Sequence, residues 1–69
     1  MEKNWKKIWS TTNLIEAEII KQMLLENDVH AVLMNKQISP YNFGTVELYV
    51  HEQQADAALR LMADNDDVA

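Results

Sequence analysis

The chain of 69 residues contains no cysteine, one glycine and one proline. Without cysteine, neither a disulfide framework nor a cysteine-ligated zinc site can form. With Gly44 as the only glycine, a glycine-rich phosphate loop is excluded. No apolar run approaches the roughly 18–20 residues that span a bilayer. The charged start, Met1 to Lys7, has no continuous apolar segment behind it and does not read as a secretory signal. The expected location is the cytoplasm, and no membrane partner is expected. Basic residues are also scarce: 6 Lys and Arg against 11 Asp and Glu give a net charge of −5. Phosphates would be repelled on average, so no nucleic-acid partner is expected. Lys3, Lys6 and Lys7 are a local basic cluster, read as a solvated strand edge rather than a phosphate site.

What is present is apolar enough to fold, at 48% hydrophobic residues. A chain of this length buries only roughly 60% of its unfolded surface, which makes one marginal core. Without disulfides, association is a common source of added stability, so a homodimer or a complex with another protein is expected.

Trp5 to Ser10 has the aromatic and β-branched content of a short strand. Its faces are Trp5/Lys7/Trp9 and Lys6/Ile8/Ser10, and each carries a lysine. The alternation is compatible with either face meeting the core. Asn13 with Glu16 three residues on resembles a capping box, with Thr12 the other candidate cap. A helix follows over about Leu14 to Asn27. Ala17, Ile20 and Leu24 form its buried stripe. Ile15, Ile19, Met23 and Leu25 widen the apolar band beyond one core face, which marks either a second contact surface or a deeply seated helix. Asn27-Asp28 supplies the stop, because Asn and Asp tolerate a left-handed backbone best after glycine.

Val29 to Met34 reads as a second strand. Residues 35–44 form a loop holding Pro40 and Gly44. Thr45 to His51 is the cleanest strand, with Val46, Leu48 and Val50 alternating against Glu47, Tyr49 and His51. A second helix over about Gln53 to Ala63 buries Ala55, Ala58, Leu59 and Met62. The order β-α-β-β-α predicts an α+β, ferredoxin-like split β-α-β fold. Strand three lies between strands one and two, and both helices cover one face of the three-stranded sheet. Residues 1–63 are one domain, and 64–69 an acidic, frayed tail.

If Val46, Leu48, Val50 and Ile8 face the helices, then Trp5, Trp9, Val32, Met34 and Tyr49 collect on the uncovered face of the sheet. Such a patch marks an interface, and Trp and Tyr are enriched at binding hot spots. The competing register makes the tryptophans core. A third reading is a small-molecule cleft against the aromatics. The loop carries Ile38, Tyr41 and Phe43, which either fold back over the sheet or serve recognition.

Little catalytic chemistry is visible. His30, His51 and Glu52 match no metal-ligand spacing, so no metal and no cofactor are expected. Ser10 and Ser39 lie near no recognisable base. The expectation is a non-enzymatic binding module. The alternatives are a small-molecule sensor and an accessory subunit of a larger complex.

The ordered pattern of Trp5 to Thr11, Glu16 to Asn27, Val29 to Asn35, Phe43-Gly44 and Val46 to Val50 resembles a family of small bacterial domains of unknown function, described as prokaryotic signal-transducing proteins. The resemblance covers about residues 5–63. It implies a fold similar to the P-II nitrogen-regulatory proteins, which are ferredoxin-like, and a regulatory role through binding. Asp28 departs from the glycine usual in that family. The loop at 35–44 lacks a phosphate cradle, so the resemblance does not extend to nucleotide binding.

Overall fold

The computed structural model describes residues 4–38 and 44–67. Strand β1 (Trp5–Thr11), helix α1 (Leu14–Glu26), strands β2 (Ala31–Asn35) and β3 (Val46–His51) and helix α2 (Ala55–Asp67) follow one another, with a 3-10 turn at Glu52–Gln54 leading into α2. The sheet order is β1-β3-β2, and both pairings are antiparallel. Ile20 and Leu24 of α1 and Ala55 and Ala58 of α2 pack with Leu48 and Val50 of β3 in one core. The architecture is the α+β, ferredoxin-like order expected from the residue pattern.

Local chemistry sets the ends of α1. The Asn13 side chain accepts from the Glu16 N–H at 3.1 Å, so Asn13 is the cap. The capping box is only half made. The Glu16 carboxylate accepts from the Thr11 hydroxyl at 3.3 Å, and the Asn13 N–H donates to that hydroxyl oxygen at 3.1 Å. At the other end Asp28 adopts φ 64°. Val29 N–H reaches Leu24 O at 2.9 Å and Asp28 N–H reaches Leu25 O at 3.1 Å. These two bonds are a Schellman stop, and its accompanying apolar contact is supplied by the buried pair Leu24 and Val29. Val29 is thereby spent on closing the helix, and β2 begins at Ala31 rather than at Val29.

Val46, Leu48 and Val50 are fully buried, as the alternation of β3 requires. Each contributes about 1.5–3 kcal/mol relative to exposure. Ala17, Ala55 and Ala58 are also buried, and their small side chains let both helices approach closely.

Strand β1 breaks its own alternation. Lys7 stands opposite Tyr49, but Trp9 stands opposite Leu48, so Ile8 is an extra residue in a β-bulge. An inserted residue moves everything after it to the other face. Trp5 and Lys7 therefore point to the uncovered side, while Trp9 and Thr11 share the side of Leu48 and Val46. Ile8 and Trp9 both pack against the core. The expectation that Trp9 joins Trp5 on the open face is corrected: strict alternation does not survive the bulge.

Helix α2 runs past the expected end at about Ala63. Its backbone stays helical to Asp67, since no Gly or Pro interrupts it. Val68 and Ala69 lie outside the described residues, as do Tyr41 and Phe43 of the expected recognition loop. Gln54 holds the connections together. Its side-chain oxygen accepts from His30 N–H and its amide donates to Asp28 O, both at 2.9 Å.

Candidate functional site

Two surfaces are candidates. The first is the open face of the sheet. Its registers set three rows across the strands: Trp5 beside His51, Lys7 beside Tyr49 and Val32, and Ser10 beside Glu47 and Met34. Four of the five expected interface residues, Trp5, Val32, Met34 and Tyr49, are thus brought together, and Trp9 is not. The middle of this face is polar. Glu47 is only 9% exposed. It accepts from the Tyr49 hydroxyl at 2.8 Å and pairs with Lys36 at 3.2 Å and Lys7 at 3.6 Å. Tyr49 is two residues along the same strand, hence on the same face.

The Tyr49 hydroxyl, helped by Lys36 and Lys7, holds the Glu47 carboxyl below its ordinary range despite the opposing effect of burial. The same hydrogen bond is the main reason the Tyr49 phenol is pushed up. A carboxylate with its charge matched and its oxygens occupied is a structural anion, not a free general base.

Beyond the Ala31–Val50 pair the chain brings His30 and His51 to one place. They share a shallow depression of about 280 Å³ with Gln53 and Gln54. Trp5 meets the His51 ring edge-on at 5.9 Å. Sequence spacing gives no hint of this juxtaposition, because only the β2–β3 pairing creates it. Two imidazoles fall short of the three or four protein ligands of a zinc site. Among the described residues no group of three or more His, Cys, Asp or Glu is placed to hold a metal ion.

The second surface lies on the helix side. Trp9, Asn13, Ile15, Glu16, Ile19, Ile20 and Met62 line an open cleft of about 560 Å³ between α1 and α2. Ile15 is 70% exposed and Ile19 61% exposed, one helical turn apart on α1. This cleft follows from three local facts. The bulge delivers Trp9 to its floor. Ala17, Ile20 and Leu24 anchor α1 to the sheet by another stripe, which leaves Ile15 and Ile19 free. Met62 reaches in from α2. The over-wide apolar band of α1 was the signal for this surface, and the exposure of Ile15 and Ile19 shows that α1 is not deeply seated along that side. Ile38, from the expected recognition loop, is 64% exposed beyond β2 and does not line the cleft.

The family model described as "Putative prokaryotic signal transducing protein" matches residues 5–66. The chain belongs to this family. No curated protein and no solved structure matches it. The family's signalling description applies to the chain at that level. No helix among the described residues is long and apolar enough to cross a membrane.

Proposed function

We propose that this family member is a non-enzymatic regulatory module of the bacterial cytoplasm that works by binding another protein. The observation that carries the reading is the pair Ile15 and Ile19, standing 70% and 61% exposed beside Trp9 in an open cleft. Large apolar side chains grouped at a concave surface are a mark of protein recognition. Among the described residues Glu16 is the one ionisable side chain lining the cleft. Its carboxylate already accepts from the Thr11 hydroxyl, which supports binding over catalysis. A P-II-like regulatory role belongs to the same reading, as the family resemblance implies, and is not extended to nucleotides.

The test is affinity capture from a bacterial extract with wild type beside the double variant Ile15→Glu, Ile19→Glu. Wild type should retain a protein in near-stoichiometric amount that the variant loses, with both chains equally folded by circular dichroism. Equal retention by both would sink the reading.

A small-molecule sensor is the second reading. It is favoured by the cleft volume of about 560 Å³, which lies within the roughly 300–1,000 Å³ of small-ligand sites. A metabolite that raises the melting temperature of wild type but not of Ile19→Glu would move the assignment to it.

A further inference from the structure

Charge in this protein is sorted by layer. Helix α1 carries Glu16, Glu18 and Glu26 against Lys21, and among the described side chains α2 carries Asp56 and Asp64 against Arg60. The three strands carry Lys6, Lys7 and Glu47 as their Lys, Arg, Asp and Glu residues. Among the described residues the two helices are therefore net negative, and the apolar cleft opens beside them. The charged side chain at the cleft itself is acidic, Glu16.

We propose that the cleft between α1 and α2 is a docking groove for a basic amphipathic helix of a partner protein. The proposal rests on the protein-binding reading above and names the chemistry of the occupant. Three observations select it. The cleft is lined by Trp9 of β1, Ile15, Ile19 and Ile20 of α1 and Met62 of α2, and its exposed isoleucines stand one helical turn apart, so it takes apolar side chains spaced a helical turn apart. Glu16 at the cleft and the net negative helices that form it attract Lys and Arg on the flanks of such a ridge. The same field repels nucleic acid and anionic lipid, the other polyanionic surfaces a small apolar groove might meet. A second copy of this chain offers its helix layer, which repeats the acidic charge, or its sheet. The lysines of the sheet face, Lys7 and with it Lys36, are already paired with Glu47.

The probe is a synthetic helical peptide of alternating Leu and Lys blocks, with Leu at the spacing of one helix face. Its control is the same peptide with Glu in place of Lys. The reporter is Trp9 fluorescence in a Trp5→Phe background. Saturable binding of the Leu/Lys peptide is expected, with at least about tenfold weaker binding of the Leu/Glu peptide. The double variant Ile15→Glu, Ile19→Glu should weaken the Leu/Lys peptide at least about tenfold, since two apolar contacts are lost. Added carboxylates would strengthen purely electrostatic binding, so that loss reports the groove. Both residues are mostly exposed, and folding of the variant is checked by its melting curve.

Equal binding of both peptides, abolished by the double variant, would overturn the basic occupant and leave the protein-binding reading standing. Leu/Lys binding unchanged by the variant would overturn the groove. If neither peptide binds and wild type sediments as a dimer that Ile15→Glu, Ile19→Glu dissociates, the occupant is a second copy and the proposal fails. If neither binds and both sediment as monomers, the proposal fails; the reading then falls as well if capture is equal for wild type and variant.

Discussion

Trp9 stands directly opposite Leu48 on the helix-covered side of the sheet, although Trp5, four residues earlier on the same strand, stands opposite His51 on the open side. The two tryptophans therefore have different duties. Trp9 is packed against the core while still lining the cleft. Trp9→Ala should cost about 2–3 kcal/mol, below the roughly 3–5 of a fully buried aromatic. Trp5→Ala should cost less than about 1 kcal/mol. Urea unfolding followed by far-ultraviolet circular dichroism compares them directly, and equal losses would contradict the bulge-dependent assignment.

Asp28 holds φ 64° at the end of α1, where a side chain is disfavoured. Asp28→Gly should raise stability by up to about 1 kcal/mol by relieving that conformation. Asp28→Val should lower it by about 1–2 kcal/mol, because β-branched residues tolerate the left-handed region worst. Thermal unfolding of the pair should bracket wild type, and a loss in the glycine variant would show that the Asp28 side chain has a stabilising role of its own.

Gly44 has φ 106°, and a Cβ there would approach the Lys36 carbonyl oxygen to 2.7 Å. That carbonyl belongs to backbone at the open end of the β2–β3 pair, where Lys36 N–H also bonds Thr45 O at 2.9 Å. Neither group can move without parting the strands. Gly44→Ala should therefore destabilise by more than about 1 kcal/mol. Amide exchange at Lys36 should quicken in the variant, and unchanged protection would show that the turn can adapt.

Glu47 has its carboxyl held low, first by the Tyr49 hydroxyl and then by the lysines. A group with a lowered folded value favours the folded state when ionised. Its contribution is present above about 4.3, the ordinary glutamate value, and is lost as the pH falls through the folded value. Tyr49 is shifted upward by the same bond, so its contribution is present below about pH 10 and is lost as the pH rises through the folded value. Glu47→Gln should flatten the acid limb of a melting-temperature profile. Tyr49→Phe should flatten the alkaline limb. Parallel profiles for wild type and Glu47→Gln below pH 4 would show that the cluster does not couple folding to protons.

Much of the fold was legible from residue pattern because its signals are local. The alternation of Val46, Leu48 and Val50, the Asn13 cap and the Asn27-Asp28 stop each act within a few residues, and each is found where the pattern puts it. The site was legible only in part. The wide apolar band on α1 was visible, but whether Ile15 and Ile19 were buried depended on which stripe the sheet would take. Helix α2 was read as ending at Ala63, since acidic residues resemble a tail, yet nothing in Asp64 to Asp67 forbids helical backbone.

The sequence by itself determined the order of elements, the sheet's buried face on β3 and the absence of cysteine chemistry, because periodicity and capping are properties of neighbouring residues. Tertiary structure alone decided the rest. A bulge at Ile8 is a mismatch between two strands, so only pairing with β3 could send Trp9 one way and Trp5 the other. Only the pairing of β2 with β3 could bring His30 and His51 into one depression. Only the packing of α1 by Ala17, Ile20 and Leu24 could leave Ile15 and Ile19 in the open beside Met62, where the cleft now lies.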